Sequence, residues 1–179
     1  MTSIVASATS AASAASAAIS QTIGTAKVGG VLPDIPVKED DPMSTISLPQ
    51  QGKIVIIGVP GAFSPTCSEQ VPGFIESYDK FVAKGVNDIF AVSINDAFVM
   101  KAWGKKLAPD GTKIRFIADD TGAFVSALGL VFDASAIFGG IRSKRFALYA
   151  NDGKIEALLV ENSPGDLETS TAEALLAKL

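Results

Sequence analysis

Residues 54–68 read Ile-Val-Ile-Ile-Gly-Val-Pro-Gly-Ala-Phe-Ser-Pro-Thr-Cys-Ser. Ile54–Val59 is a β-branched run interrupted only by Gly58, the pattern of a strand buried on both faces. Pro60, Gly61 and Pro65 then force a turn. A helix opens near Thr66–Ser68, because Val71, Phe74, Ile75, Tyr78, Phe81 and Val82 fall on one face at 3.6-residue spacing. Pro72 predicts a kink in it and Gly85 its end. Strand, tight turn and helix in succession are the start of an α/β fold.

The pattern repeats downstream. Ile89–Ile94 reads as a second buried strand. Asp96 is placed to cap a helix running through Lys106. Ile114–Ala118 is a third strand, and Asp119–Leu128 a turn with a short helix. Arg145–Tyr149, the turn Asn151-Asp-Gly153 and Lys154–Val160 form a β-hairpin. Ser170-Thr-Ala-Glu173 reads as a capping box opening a last helix. Upstream, Gly29, Gly30, Pro33, Pro36 and Pro42 forbid a long helix between Lys27 and Asp41. The order βαβαβαββα predicts a central sheet with helices on both faces, closed by an antiparallel hairpin.

The chain has 179 residues, enough for one domain with a sizeable core. It holds one Cys and no His. An intramolecular disulfide, a Cys-X-X-Cys pair, a zinc finger and any His base or His metal ligand are thereby excluded. No apolar stretch approaches the roughly 20 residues that span a bilayer. A net charge of −4 argues against nucleic acid or an anionic membrane as a partner. Residues 1–26 stand apart from the domain at 27–179: they are mostly Ala, Ser, Thr and Ile, without an acidic or basic residue.

Chemistry is expected at Cys67. Active sites of open α/β sheets lie beyond the carboxyl ends of the strands. A thiol in a first helical turn faces unpaired backbone N–H groups and the positive end of the helix dipole, both of which favour the thiolate. A lone Cys is also commonly just a small buried hydrophobe. With no His available, the cation must come from Arg142, Lys144 or Arg145. Arg145 is placed at a strand end, and its fork of donors suits a thiolate and an oxygen substrate. The alternative is that all three are solvated loop charges.

These residues carry a resemblance. Pro60-Gly-Ala-Phe-Ser64-Pro-Thr-Cys67 matches the active-site pattern of the peroxiredoxins: Pro, three residues, Thr or Ser, two residues, Cys. Gly58–Phe63, Val71-Pro-Gly-Phe74, Ser93–Phe98, Ala102-Trp-Gly104, Asp120–Phe124 and Lys144-Arg-Phe146 resemble the type II, peroxiredoxin-5-like branch, from about Lys27 to Leu179. The resemblance implies a thioredoxin-like fold and reduction of hydrogen peroxide and organic hydroperoxides. It makes Cys67 the peroxidatic nucleophile and Ser64 the hydroxyl that bonds thiolate and peroxide. Pro60 would shield the site and Arg145 would orient the peroxide. The backbone N–H groups of Cys67 and Thr66 would donate to the substrate oxygen.

Three departures from the family pattern stand out. Close relatives carry a His in the helix after the Cys, whereas Ser68-Glu-Gln-Val71 has none and is one residue shorter. Resolving cysteines occur in the family at the positions of Ala91 or near Thr169, and both lack Cys here. The extension 1–26 lies outside the family core. A one-Cys cycle follows, with Cys67 sulfenic acid resolved by an external thiol, either glutathione with glutaredoxin or thioredoxin. No prosthetic cofactor is implied. The resemblance also implies a homodimer. The alternative role is a peroxide sensor that relays oxidation to partner proteins. The acid-free extension suggests a mitochondrial address, and Ala177-Lys178-Leu179 a peroxisomal one, with the cytosol as the remaining possibility.

Overall fold

The computed structural model describes residues 25–179. The chain order is β1 (Val37–Glu39), β2 (Asp41–Ile46), β3 (Lys53–Gly58), α1 (Pro65–Glu76), α2 (Tyr78–Ala83), β4 (Asp88–Ser93), α3 (Ala97–Leu107) and β5 (Arg115–Ala118). There follow α4 (Ala123–Ala127), β6 (Val131–Asp133), α5 (Ser135–Phe138), β7 (Ile141–Ser143), β8 (Phe146–Asn151), β9 (Lys154–Val160) and α6 (Ala172–Leu176). Seven strands form one sheet in the order β2-β1-β5-β4-β3-β8-β9. Its centre, β5-β4-β3, is parallel, and β8 pairs antiparallel with β3. This is the thioredoxin-like α/β fold that the sequence predicts.

Alternation along β3 divides the core. Val55 and Ile57 face one cluster with Val71, Phe74, Phe81, Met100, Trp103 and Leu175, which α1, α2, α3 and α6 supply. Ile54 and Ile56 face the other, with Phe90, Phe124, Phe146 and Leu148, covered by α4. Leu179 packs against the first cluster. Phe74 and Phe81 stack at 5.6 Å, and Trp103 meets Phe116 edge-on at 5.6 Å.

Several boundaries differ from expectation. The helix after Cys67 continues through Pro72 and gives way at Ser77, so it is two helices. Val82 is 46% exposed rather than on the buried face. Arg145 stands just before β8, not inside it. Thr171 caps α6, its hydroxyl accepting from the Ala174 N–H at 3.2 Å. Ser170, read as the cap, is buried and used elsewhere. The polar β1–β2 hairpin, turned at Asp40 (φ 60°), and the small β6–β7 hairpin add strands without a clear apolar pattern. Asp96 does cap α3, accepting from the Val99 N–H at 2.9 Å. Asp119, a further buried cap, accepts from the N–H groups of Phe124 and Val125 at 3.1 and 2.9 Å. Burial pushes its carboxyl up against the pull of those donors.

Candidate active site

The β3–β8 register assembles the site. Gly58 pairs with Phe146, so Arg145 lies just past the carboxyl end of β3, where the Pro60–Cys67 turn begins. Gly58 is required for this approach: a Cβ there would sit 2.0 Å from Phe146 Cε1. The turn is tied down from β4. Asn95 Oδ1 accepts from the Ala62 N–H at 3.0 Å and from Ser93 Oγ at 2.8 Å. Phe63 takes a positive φ of 65°, an uncommon conformation for a bulky residue, which turns the chain into α1.

Cys67 is the third residue of α1, with 0% exposure. Its N–H and that of Thr66 precede the first intrahelical bond, from the Ser68 N–H to the Ser64 carbonyl at 3.0 Å. Both nitrogens are thus at the positive end of the helix. Pro60 is buried beneath the turn. Ser64 holds the N-cap position, but its hydroxyl makes no cap bond.

Of the three cations, Arg145 alone reaches the sulfur. Its Nη1 and Nη2 both lie 3.4 Å from Cys67 Sγ. Nη1 also donates to Gln70 Oε1 at 3.0 Å, and Nη2 to the Pro164 carbonyl at 2.6 Å. Arg145 is 2% exposed, and its Nε finds no partner among the described residues. The solvated-loop reading of this residue is therefore overturned. Arg142 serves structure instead, donating to the carbonyls of Ile94 and Phe138 at 2.7 and 3.3 Å and lying over the Phe138 ring. Lys144 is half-buried.

Two residues that sequence reasoning did not single out complete the surroundings. Gln70 is buried and joins Arg145 to the last loop, donating to the Ser170 carbonyl and Oγ, each at 3.1 Å. Glu161, 7% exposed, fixes that loop from within. Nothing local in the sequence separates either from a surface polar residue. A cleft of about 180 Å³ lined by Lys144, Arg145, Glu161 and Pro164 opens beside the guanidinium. A larger cleft of about 310 Å³, lined by Lys101, Lys105 and Arg115 among others, does not include Cys67. The described residues contain no cluster fit to hold a metal ion.

The Redoxin family profile matches residues 27–176. Peroxisomal membrane associated protein 20 of Schizosaccharomyces pombe is 42% identical over 153 residues, covering 85% of this chain and 98% of that protein. Peroxiredoxin 5 of Alvinella pompejana superposes with a TM-score of 0.77 at 36% identity, covering 85% and 96% of the two chains. Reduced Prx3 of Vibrio vulnificus, solved in complex with hydrogen peroxide, gives a TM-score of 0.75 at 41% identity, covering 84% and 97%. The chain belongs to the peroxiredoxin family. Its branch is consistent with type II, and peroxiredoxins are thiol peroxidases, so the arrangement of Cys67 and Arg145 sits in a family whose chemistry is peroxide reduction by a thiol.

Proposed function

We propose that this peroxiredoxin reduces hydrogen peroxide and organic hydroperoxides by a one-Cys cycle at Cys67. The observation that carries this reading is the pair of 3.4 Å contacts from one buried guanidinium to the sulfur. That geometry supplies a full positive charge and two donors beside a nucleophile at a helix N-terminus. The Vibrio vulnificus relative binds hydrogen peroxide in its reduced form.

In the first step, Cys67 Sγ bonds to one peroxide oxygen as the O–O bond breaks. Two electrons pass from sulfur to oxygen, and the leaving oxygen takes up a proton and departs as water or alcohol. Arg145, the Ser64 hydroxyl and the N–H groups of Thr66 and Cys67 are assigned to stabilising the charge that moves onto oxygen. Pro60 is assigned to keeping water from the sulfur. The product is Cys67 sulfenic acid. An external thiol then condenses with it, releasing water and leaving a mixed disulfide. A second thiol equivalent attacks that disulfide and restores Cys67. Glutathione with glutaredoxin is the proposed reductant, with thioredoxin as the competing donor.

The test is peroxide consumption by the whole chain with each reductant in turn. Sustained turnover with glutathione and glutaredoxin supports the reading. No turnover with any thiol, or the same rate after Cys67→Ser, overturns it.

A second copy of the chain is the proposed partner for the apolar edge beside the site. Phe63, Ile137 and Ile141 are exposed, and Phe138 packs this segment against Gly61. Light scattering that reports a monomer at micromolar concentration would rule this out. For compartment, residues 1–24 of the 1–26 segment read as an N-terminal address lie outside the described residues. The names of the relatives support both the mitochondrial reading and the peroxisomal alternative, one being a peroxisomal membrane associated protein and another a mitochondrial peroxiredoxin. Imaging a fluorescent fusion that keeps both ends of the chain distinguishes them.

A further inference from the structure

Glu161 follows β9 and is nearly enclosed, yet every contact of its carboxylate is satisfied. Oε1 accepts from the N–H groups of Glu168, Thr169 and Ser170 at 3.0, 2.9 and 2.7 Å, and from Ser170 Oγ at 2.8 Å. Oε2 accepts from Thr169 Oγ1 at 2.7 Å. A short loop is thereby folded around one side chain, much as an anion organises a nest of N–H groups.

The same loop supplies Arg145 with its fixed partners. The Pro164 carbonyl takes Nη2. Ser170, bound to Glu161, takes Gln70 Nε2, and Gln70 Oε1 takes Nη1. The Glu161 N–H itself donates to the Arg145 carbonyl at 3.0 Å. Both terminal nitrogens that touch Cys67 Sγ are therefore also held from the 161–170 loop, Nη2 by its Pro164 carbonyl and Nη1 through Gln70, which donates to Ser170.

We propose that Glu161 is a positioning residue for the peroxidase reaction: its buried carboxylate shapes the 161–170 loop, which through Pro164, Ser170 and Gln70 holds the Arg145 guanidinium against Cys67. The inference rests on the role given to Arg145 above. It assigns to this loop, which contains Thr169 and no cysteine, the task of holding the arginine rather than supplying a thiol.

The experiment compares stopped-flow oxidation of Cys67 by hydrogen peroxide in wild type, Glu161→Ala, Glu161→Gln, Arg145→Ala and the Glu161→Ala/Arg145→Ala double variant. Glu161→Ala is expected to slow oxidation about tenfold or more, because small misplacements of a positioned group are costly in rate. Glu161→Gln keeps an acceptor oxygen for the loop N–H groups and should recover part of the loss. The double variant should be no slower than Arg145→Ala alone, since two residues acting through one contact are not additive. In the NMR spectrum of the folded variant, the Arg145 Nη–H signals should broaden or shift.

A wild-type rate in Glu161→Ala alongside a slow Arg145→Ala overturns this inference and leaves the proposed function standing. So do fully additive losses. A wild-type rate in Arg145→Ala overturns the assigned role of that arginine and this inference together. Should Glu161→Ala not fold, Glu161→Gln and Ser170→Ala carry the same comparison. Ser170→Ala removes the hydroxyl shared by Glu161 and Gln70 and is expected to slow oxidation about threefold or more, again without adding to Arg145→Ala.

Discussion

Trp103 Nε1 donates to Ser68 Oγ at 3.2 Å, which ties the buried indole of α3 to the residue directly after Cys67. Trp103 is the single tryptophan of the chain. Oxidation of Cys67 changes the charge and hydrogen bonding one residue from its partner. Intrinsic fluorescence should therefore change in step with sulfenic acid formation. Ser68→Ala is expected to reduce the amplitude of that change while leaving a rate that mass spectrometry can follow independently. An unchanged amplitude would show that the indole senses something else.

Arg145→Lys keeps the charge but has one ammonium where the sulfur, Gln70 and Pro164 are now met by a fork. It should slow peroxide reduction by about tenfold, and Arg145→Ala by about 100-fold, the scale seen when a preorganised donor is lost from a reacting oxygen. Arg142→Ala should lower stability more than rate, because its donors go to the carbonyls of Ile94 and Phe138. Rapid-mixing kinetics on the three variants at matched peroxide concentration distinguish these outcomes.

Without added thiol, one equivalent of hydrogen peroxide should add one oxygen to the chain and then stop, because no second cysteine can take over the sulfur. Excess peroxide should carry Cys67 on to the sulfinic acid. Intact-mass measurements before and after glutathione addition check both steps. A disulfide-linked dimer as the main product would replace the glutathione-resolved cycle with an intersubunit one.

Glu161 gives acid stability a defined window. Burial opposes its ionisation, but donation from Ser170, Thr169 and Glu168 outweighs this and holds the carboxyl at about 2, against an ordinary value of 4.5. As pH falls from about 4.5 toward about 2, the unfolded chain binds the proton before the folded chain does, so stability declines with falling pH across that range. Urea unfolding midpoints between about pH 5 and about pH 3 should drop in wild type. The drop should be shallower in Glu161→Gln, which has no such proton to bind.

Gly58→Ala introduces a methyl group into the Phe146 ring. The overlap is with a buried, packed side chain, so relief requires the start of β8 to move. A loss of about 2–3 kcal/mol in unfolding free energy is expected, at the upper end of overpacking costs. Thermal denaturation of the variant gives the direct comparison.

The strand–turn–helix around Cys67 was legible because each part carries a strong local signal: β-branched residues in β3, prolines in the turn and a helical apolar stripe in α1. Asp96 was legible for the same reason, as a cap one residue before its helix. Arg145 could be singled out as a cation beside an apolar run, although its distance to the sulfur depends on strand pairing. The hairpin β1–β2 escaped notice because Lys38, Glu39, Asp40 and Asp41 give it no apolar alternation, its place being set by pairing with β5. The Ser170 cap was read one residue early because Ser and Thr are adjacent and both suit a cap, while only the tertiary demand of Glu161 and Gln70 decides between them. Gln70 and Glu161 are polar residues buried by long-range contacts, and a polar letter in a sequence does not say on which side of the surface it will lie.

The antiparallel pairing of β8 with β3 also sets when Cys67 can meet Arg145. Cys67 and Arg145 are 78 residues apart, and their contact exists only once β8 has docked beside β3. Long-range strand pairing closes late because loop entropy must be overcome first. During synthesis the cysteine thus leaves the ribosome well before its arginine, as a thiol in an unfinished chain without that cation. On the roles proposed for Cys67 and Arg145, peroxide chemistry begins with completion of the sheet, and folding itself acts as the maturation step of the nucleophile.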